Sequence, residues 1–171
     1  MPAKKFLRAN QLIIFDLDDT LFDCSSQMRA GHEQEDVQQV VPFPGVLSFL
    51  ASFPGKKALV TKETVPGLQQ QKITILGVRR FFDDIIICQT VEEKKSRFRQ
   101  VLAKYHPQKC WVVGDRLDAE IRFGNELGLK TIRLRHGKHR ERKPQNGLEV
   151  PDAEISCFTE LHTIFSSEGR P

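Results

Sequence analysis

Short apolar runs rich in β-branched residues alternate with segments of helical periodicity along most of the chain, and that alternation leaves few folds open. The runs are Leu12–Asp16, Lys57–Thr61, Asp84–Cys88, Cys110–Gly114 and Lys130–Leu134, with a weaker Ala153–Ser156. Between them apolar residues recur at helix spacing, as Val46, Phe49, Leu50 and Phe53, then Phe98, Val101, Leu102 and Tyr105, then Phe158, Leu161, Ile164 and Phe165. Strands joined through helices pair in parallel, so an α/β sheet wrapped on both faces is expected. In such sheets the ligand lies beyond the carboxyl ends of the strands, near a reversal of strand order. Asp16, Thr61 and Asp115 each fall at such an end.

The length of 171 residues suits one domain over 1–171 with a proper core and a small insertion. Pro66 suits the first turn of a helix running to about Leu76, which Gly77 can close in the left-handed conformation; Gly128 similarly follows the helix containing Ile121 and Leu127. Two segments break the alternation. Cys24 to Val41 is polar and suits a flap plus one helix, too short for a lid with its own core. Arg133 to Lys143 is dense in Arg, Lys and His and runs into Pro144-Gln145-Asn146-Gly147, which reads as a surface loop.

Composition excludes several classes. Hydrophobic content of 39% and charged content of 28% are ordinary for a globular chain. No apolar stretch approaches the roughly 20 residues of a membrane helix. Met1 to Asn10 has basic residues but lacks the apolar core of a signal peptide, so a cytoplasmic protein is expected. Cys24, Cys88, Cys110 and Cys157 form no Cys-x-x-Cys pair and read as reduced thiols, implying neither zinc nor disulfides. A net charge of +4 permits anionic ligands without pointing to nucleic acid.

The chemistry sits at the strand ends. Leu12-Ile13-Ile14-Phe15 runs into Asp16-Leu17-Asp18-Asp19-Thr20, and alternate residues can turn Asp16 and Asp18 toward one small volume. Two carboxylates there repel unless a cation joins them or one stays protonated. A solvated acidic turn would explain Asp-Leu-Asp alone equally well. Val112-Val113-Gly114-Asp115 is a second strand ending in an acid, with Glu120 about one helical turn further on. A hard cation such as Mg²⁺ takes a few carboxylate oxygens and keeps other positions for water and phosphate. Asp16 and Asp115 at neighbouring tips would supply them, although a helix N-cap is an equal explanation of Asp115 alone. Thr61, followed by Lys62, puts a hydroxyl at a third strand end, where it can cap a helix or hold a phosphate oxygen. Lys94 and Lys95 open a helix against its dipole, which suits the neutralisation of a bound phosphate.

Asp-x-Asp-x-Thr after an apolar strand, Thr after a second, Lys at a helix start and Gly-Asp-x-x-x-x-Glu after another strand together resemble the haloacid-dehalogenase-like (HAD) superfamily. The four motifs stand in the family's order over residues 11 to 121. The resemblance implies a three-layer Rossmann-like fold whose cap is minimal or absent, with a short flap at about 22–42. It implies a Mg²⁺-dependent phosphatase with Asp16 as nucleophile and Asp18 as acid and base. The metal would be held by Asp16, Asp115 and the backbone carbonyl of Asp18, with Glu120, where the family more often has Asp, orienting its water shell. Thr61, Lys62 and Lys94 or Lys95 would bind the phosphate; helix phase favours Lys94, which places Phe98, Val101 and Leu102 at offsets of four, seven and eight. Thr20 would steady the turn. The family's dehalogenases lack an aspartate at the position of Asp18, which sets that branch aside.

A small phosphomonoester is the favoured substrate. A macromolecular phosphate, such as a nucleic-acid 3′-phosphate or a phosphoprotein, is the alternative, resting on an open site and on the basic run Arg133–Lys143. A non-catalytic phosphate-binding module is disfavoured because Asp16, Asp18 and Asp115 are all present. No membrane partner is expected, and a second subunit over the exposed site is compatible with the sequence.

Overall fold

The computed structural model describes residues 10–167, so the expectation for Met1 to Asn10 lies almost wholly outside the described residues. Within them six strands form one sheet: β1 Gln11–Phe15, β2 Lys56–Lys62, β3 Asp84–Cys88, β4 Lys109–Gly114, β5 Lys130–Leu134 and β6 Ala153–Ile155. Every neighbouring pair is parallel, in the spatial order β3-β2-β1-β4-β5-β6. The chain winds from β1 to one edge, returns beside β1 as β4, and winds to the other edge. The reversal therefore lies between β1 and β4, where a crevice opens beyond the strand ends.

The helices are α1 Cys24–Gln27, α2 Glu33–Asp36, α3 Val46–Ser52, α4 Leu68–Ile75, α5 Glu93–Tyr105, α6 Arg122–Glu126 and α7 Glu160–Ser167. Strand alternation sorts the core into two layers. Ile13 and Phe15 of β1, with Leu59 and Val113, pack against Phe49 and Leu50 of α3, Ile73 of α4 and Leu161 of α7. Leu12 and Ile14, with Val60 and Val112, pack against Phe98 and Val101 of α5 and Phe123 of α6. Both faces of β1 are fully buried, which is why its sequence is continuously apolar and does not alternate. Phe15 meets Phe49, Phe82 and Phe158 with ring centroids 6.0–6.3 Å apart. Truncating a buried ring of this kind to alanine costs about 3–5 kcal/mol, so the strand that carries the first acids is firmly anchored.

Three local expectations are corrected. Pro66 lies outside α4: Gly67 adopts φ 80° immediately before Leu68, and this left-handed turn postpones the helix start. Between Cys24 and Val41 stand two four-residue helices and a 3₁₀ turn, Val37–Gln39, where one helix is expected. Gly31 at φ 81° interrupts the segment. Its ends meet, since Phe22 bridges to Pro42. The helix expected after Asp115 begins as a π-helical turn, Leu117–Ile121, before α6. The wider turn carries Glu120 across Gly114, where an added Cβ would stand 2.5 Å from the Glu120 Cγ. Gly77 and Gly128 do close their helices with positive φ.

Candidate active site

Asp16 is fixed by the sheet, its N–H donating to the Val113 carbonyl at 3.0 Å. It continues the side of β1 that bears Leu12 and Ile14, the side covered by α5. Along α5 the buried residues are Lys94, Phe98 and Val101, one helical stripe. That stripe aims the Lys94 ammonium at the strand tips, where Nζ donates to Asp16 Oδ1 at 2.8 Å and to Glu120 Oε1 at 2.5 Å. Lys95 stands about 100° further round the helix and pairs with Glu126. It is not brought to these acids; of the two lysines, Lys94 is the one that reaches them.

Asp16, Asp115 and Glu120, all buried, place carboxylate oxygens within 4.8 Å of one another. One ammonium faces three acids, so the group would carry an excess of buried negative charge were all three ionised. Burial pushes the Asp16 carboxyl up to about 7, with Lys94 opposing the rise and Glu120 and Asp18 adding to it. Asp115 is held well above the usual carboxylate range by burial and then by Glu120 and Asp16. For Lys94 burial works against the charge, but Asp16 and Glu120 outweigh it and keep the ammonium protonated. A hard divalent cation relieves this excess with the donors it prefers, so the residues fit a metal such as Mg²⁺. Glu120 also accepts the Arg116 N–H at 3.3 Å, which engages both of its oxygens with protein donors. A second close group, Asp19, Asp23 and His136, is tied up locally. Asp19 accepts from Ser25 N and Oγ, and Asp23 accepts from Ser26 N.

Asp18 lies apart from the three buried acids. Lys72 Nζ donates to its Oδ1 at 2.8 Å, and Gln69 Nε2 reaches its Oδ2 at 3.2 Å. The same Gln69 nitrogen donates to Thr61 Oγ1 at 2.7 Å, so α4 ties the end of β2 to the turn after β1. Neither Gln69 nor Lys72 is a candidate in the sequence reading. The available signal is position: Lys72 stands midway between buried Leu68 and Leu76 at four-residue steps. Beside them burial, with Asp18 next, pushes the Cys24 thiol up, so it is a neutral neighbour. Lys62 points to the other side of β2 from Thr61, and among the described residues it forms no ion pair with the acids. The Thr20 hydroxyl, expected to steady the turn, is buried without a hydrogen-bond partner. The turn is held by backbone bonds from Thr20 and Leu21 to Leu17.

Four arginines of the basic run after β5 are paired within the chain. Arg133 belongs to β5, pairs with Glu154, and donates to the carbonyls of His139, Arg140 and Arg142. Arg135 and Arg140 pair with Glu141, and Arg142 with Asp118. Lys138 N donates to Ser25 Oγ, which docks the run beside Asp19. A cleft of about 450 Å³ lined by Phe82, Asp83, Asp84 and Ile85 lies at the start of β3, the sheet end opposite the acids. It has no part in this chemistry. Among the described residues no helix is long and apolar enough to cross a membrane.

Comparisons with known proteins identify relatives of the chain. A HAD-hydrolase-like family model matches residues 94–160. The chain is 31% identical over 127 residues to a glyceraldehyde 3-phosphate phosphatase of Methanopyrus kandleri, covering 70% of this chain and 54% of that protein. It is 28% identical over 130 residues to that of Methanocaldococcus jannaschii, covering 72% and 56%. The chain thus spans about half the length of these relatives. Among solved structures, a 2-haloacid dehalogenase from Pseudomonas syringae has a TM-score of 0.68 at 15% identity, covering 92% of this chain and 99% of that one. The HAD-hydrolase YfnB from Bacillus subtilis, solved bound to magnesium, has a TM-score of 0.66 at 19% identity, covering 91% and 98%. With the ordered motifs and the parallel sheet, these likenesses show that the chain belongs to the HAD-like hydrolase superfamily.

Proposed function

We propose that the protein is a Mg²⁺-dependent phosphomonoesterase that works through an aspartyl-phosphate on Asp16 and takes a small phosphorylated metabolite. The observation that carries this reading is the buried group of Asp16, Asp115 and Glu120 gathered around the Lys94 ammonium. Asp16 Oδ attacks phosphorus in line, and the P–O bond to the leaving group breaks as that oxygen takes a proton from Asp18. Asp18, now a carboxylate, removes a proton from water. The water oxygen attacks phosphorus, releasing inorganic phosphate and restoring Asp16. An ammonium has three donors; two of those of Lys94 hold Asp16 and Glu120, leaving one for a phosphoryl oxygen. Thr61 Oγ1, kept in place by Gln69, offers another donor. Mg²⁺ bound by Asp16, Asp115 and the Asp18 carbonyl would neutralise charge on the phosphoryl oxygens, with Glu120 orienting its water.

The internal pairing of Arg133, Arg135, Arg140 and Arg142 supports the small substrate over a polyanion, because paired charges release few counterions. The two phosphatase relatives make glyceraldehyde 3-phosphate the first compound to try. The test is phosphate release from a broad panel of phosphometabolites, with Mg²⁺ and with chelator. Turnover of a small ester that chelator abolishes is expected. Release from oligonucleotide or phosphopeptide ends alone would overturn the substrate class, and no release from any ester would overturn the activity.

A further inference from the structure

The sequence motifs leave Lys72 and Gln69 without a task, yet both are buried at the mouth of the site. Lys72 is 5% exposed at its side chain, whereas its partner Asp18 is 34% exposed and faces the open crevice. A buried ammonium is costly to desolvate and persists where it is paired. Here the pair is made to a carboxylate of the reaction centre, across 54 positions of sequence. Gln69, one turn earlier on α4, reaches the other oxygen of the same carboxylate and is itself pinned by Thr61. Each oxygen of Asp18 thus receives one donor from the same face of a single helix, which fixes both the rotation and the position of the group. The Lys72 ammonium is in turn boxed by the Phe22 ring, 5.7 Å from its centroid, and by Cys24 Sγ at 3.9 Å.

Resting on the phosphatase reading, we propose that Lys72, assisted by Gln69, is the positioning residue for Asp18, holding that carboxylate where it meets the leaving oxygen and the attacking water. The energetic logic is geometric. A carboxylate on an exposed turn samples several rotamers, and a proton-transfer group displaced by about 1 Å can lose on the order of 10²-fold in rate. Lys72 and Gln69 replace that freedom with two hydrogen bonds from a rigid element. Lys72 pairs with Asp18, whereas the ammonium that pairs with Asp16 and Glu120 is that of Lys94, so we assign Lys72 to Asp18 and not to the phosphate. Its effect passes through Asp18 and leaves substrate affinity nearly untouched.

The test is a double-variant cycle on kcat with a small phosphomonoester, using Lys72→Met, Asp18→Asn, the pair together and Lys72→Arg. Lys72→Met is expected to lower kcat by about 10- to 100-fold with KM changed less than about threefold. Adding it to Asp18→Asn should change kcat by no more than about twofold, because the group it acts through is already disabled. Lys72→Arg should recover part of the loss. Thermal unfolding of each variant with Mg²⁺ separates a folding defect from a positioning defect. If the losses of Lys72→Met and Asp18→Asn multiply, or the Lys72→Met loss falls on KM, the positioning role is overturned while the phosphatase reading stands. A parent without turnover on any phosphomonoester overturns both.

Discussion

The two aspartates of the first motif stand two residues apart and live in opposite surroundings. Asp16 belongs to a closed, acid-rich compartment with Asp115, Glu120 and one ammonium, and is nearly fully buried. Asp18 belongs to a half-open, charge-balanced compartment in which α4 supplies a donor to each oxygen. The first compartment is electrostatically incomplete and calls for a cation. The second is complete without one, and its order comes from hydrogen bonds. On the proposed reading the two compartments divide the work: the crowded acids would take the metal that in turn meets the phosphate, and Asp18 would handle protons.

Neutralising Asp16 should break this comparison most sharply. Asp16→Asn is expected to lower phosphatase turnover by at least about 10³-fold, as loss of a covalent nucleophile does. It should also raise the melting temperature of the metal-free protein at pH 7.5, because one of three crowded carboxylates becomes neutral. A lower melting temperature would show that the acids are not in conflict. Lys94→Met should act in the opposite direction on stability. It removes the ammonium and leaves buried acids unpaired, which costs about 3–5 kcal/mol in denaturant unfolding without metal. Lys95→Met, which disrupts only a half-buried pair at the protein surface, should cost less than about 1 kcal/mol. Comparable losses for the two lysines would contradict the orientation of α5.

Metal and pH sharpen the comparison further. The folded, metal-free protein keeps Asp16 protonated up to about 7, against 3.8 unfolded. Between those values the folded state holds the proton that the unfolded state has lost, so this group makes metal-free stability fall as pH rises through that window. A cation competes with the same proton. The gain in melting temperature on adding Mg²⁺ should therefore be larger at pH 8 than at pH 5, and a gain independent of pH would refute it. The smallest effect is expected in the basic run. Replacing Lys138, Arg140 and Lys143 with Gln should change KM for a small ester by no more than about twofold, since exposed charges are screened. A steep salt dependence lost in that variant would restore the polyanion reading.

The buried compartment was far more legible in the sequence than the open one. Asp16, Asp115 and Glu120 sit in motifs whose spacing survives translation into strand tips and turns, and the stripe Lys94, Phe98, Val101 revealed which lysine faces inward. The donors to Asp18 were hidden because they depend on contacts 51 and 54 residues away in the chain. Their helix, Leu-Gln-Gln-Gln-Lys-Ile-Thr-Ile, reads as polar and solvent-facing. The pairing of the run after β5 was hidden for a similar reason: Glu154 and Asp118, which pair with Arg133 and Arg142, come from other segments. β1 was recoverable because burial on both faces leaves a continuous apolar run. The π-helical turn before α6 was not, since it answers to the need of Glu120 to pass over Gly114.

The central claim is that Asp16 carries phosphate covalently during turnover. An acyl phosphate is reduced by borohydride to an alcohol, which turns the aspartate that bore it into homoserine. Enzyme quenched with borohydride while turning over a small phosphomonoester with Mg²⁺ should yield, on peptide mass mapping, homoserine at position 16 and at no other aspartate. The product should be absent when chelator is added before substrate. Homoserine at another position, or full turnover with Asp16 unreduced, would contradict the account.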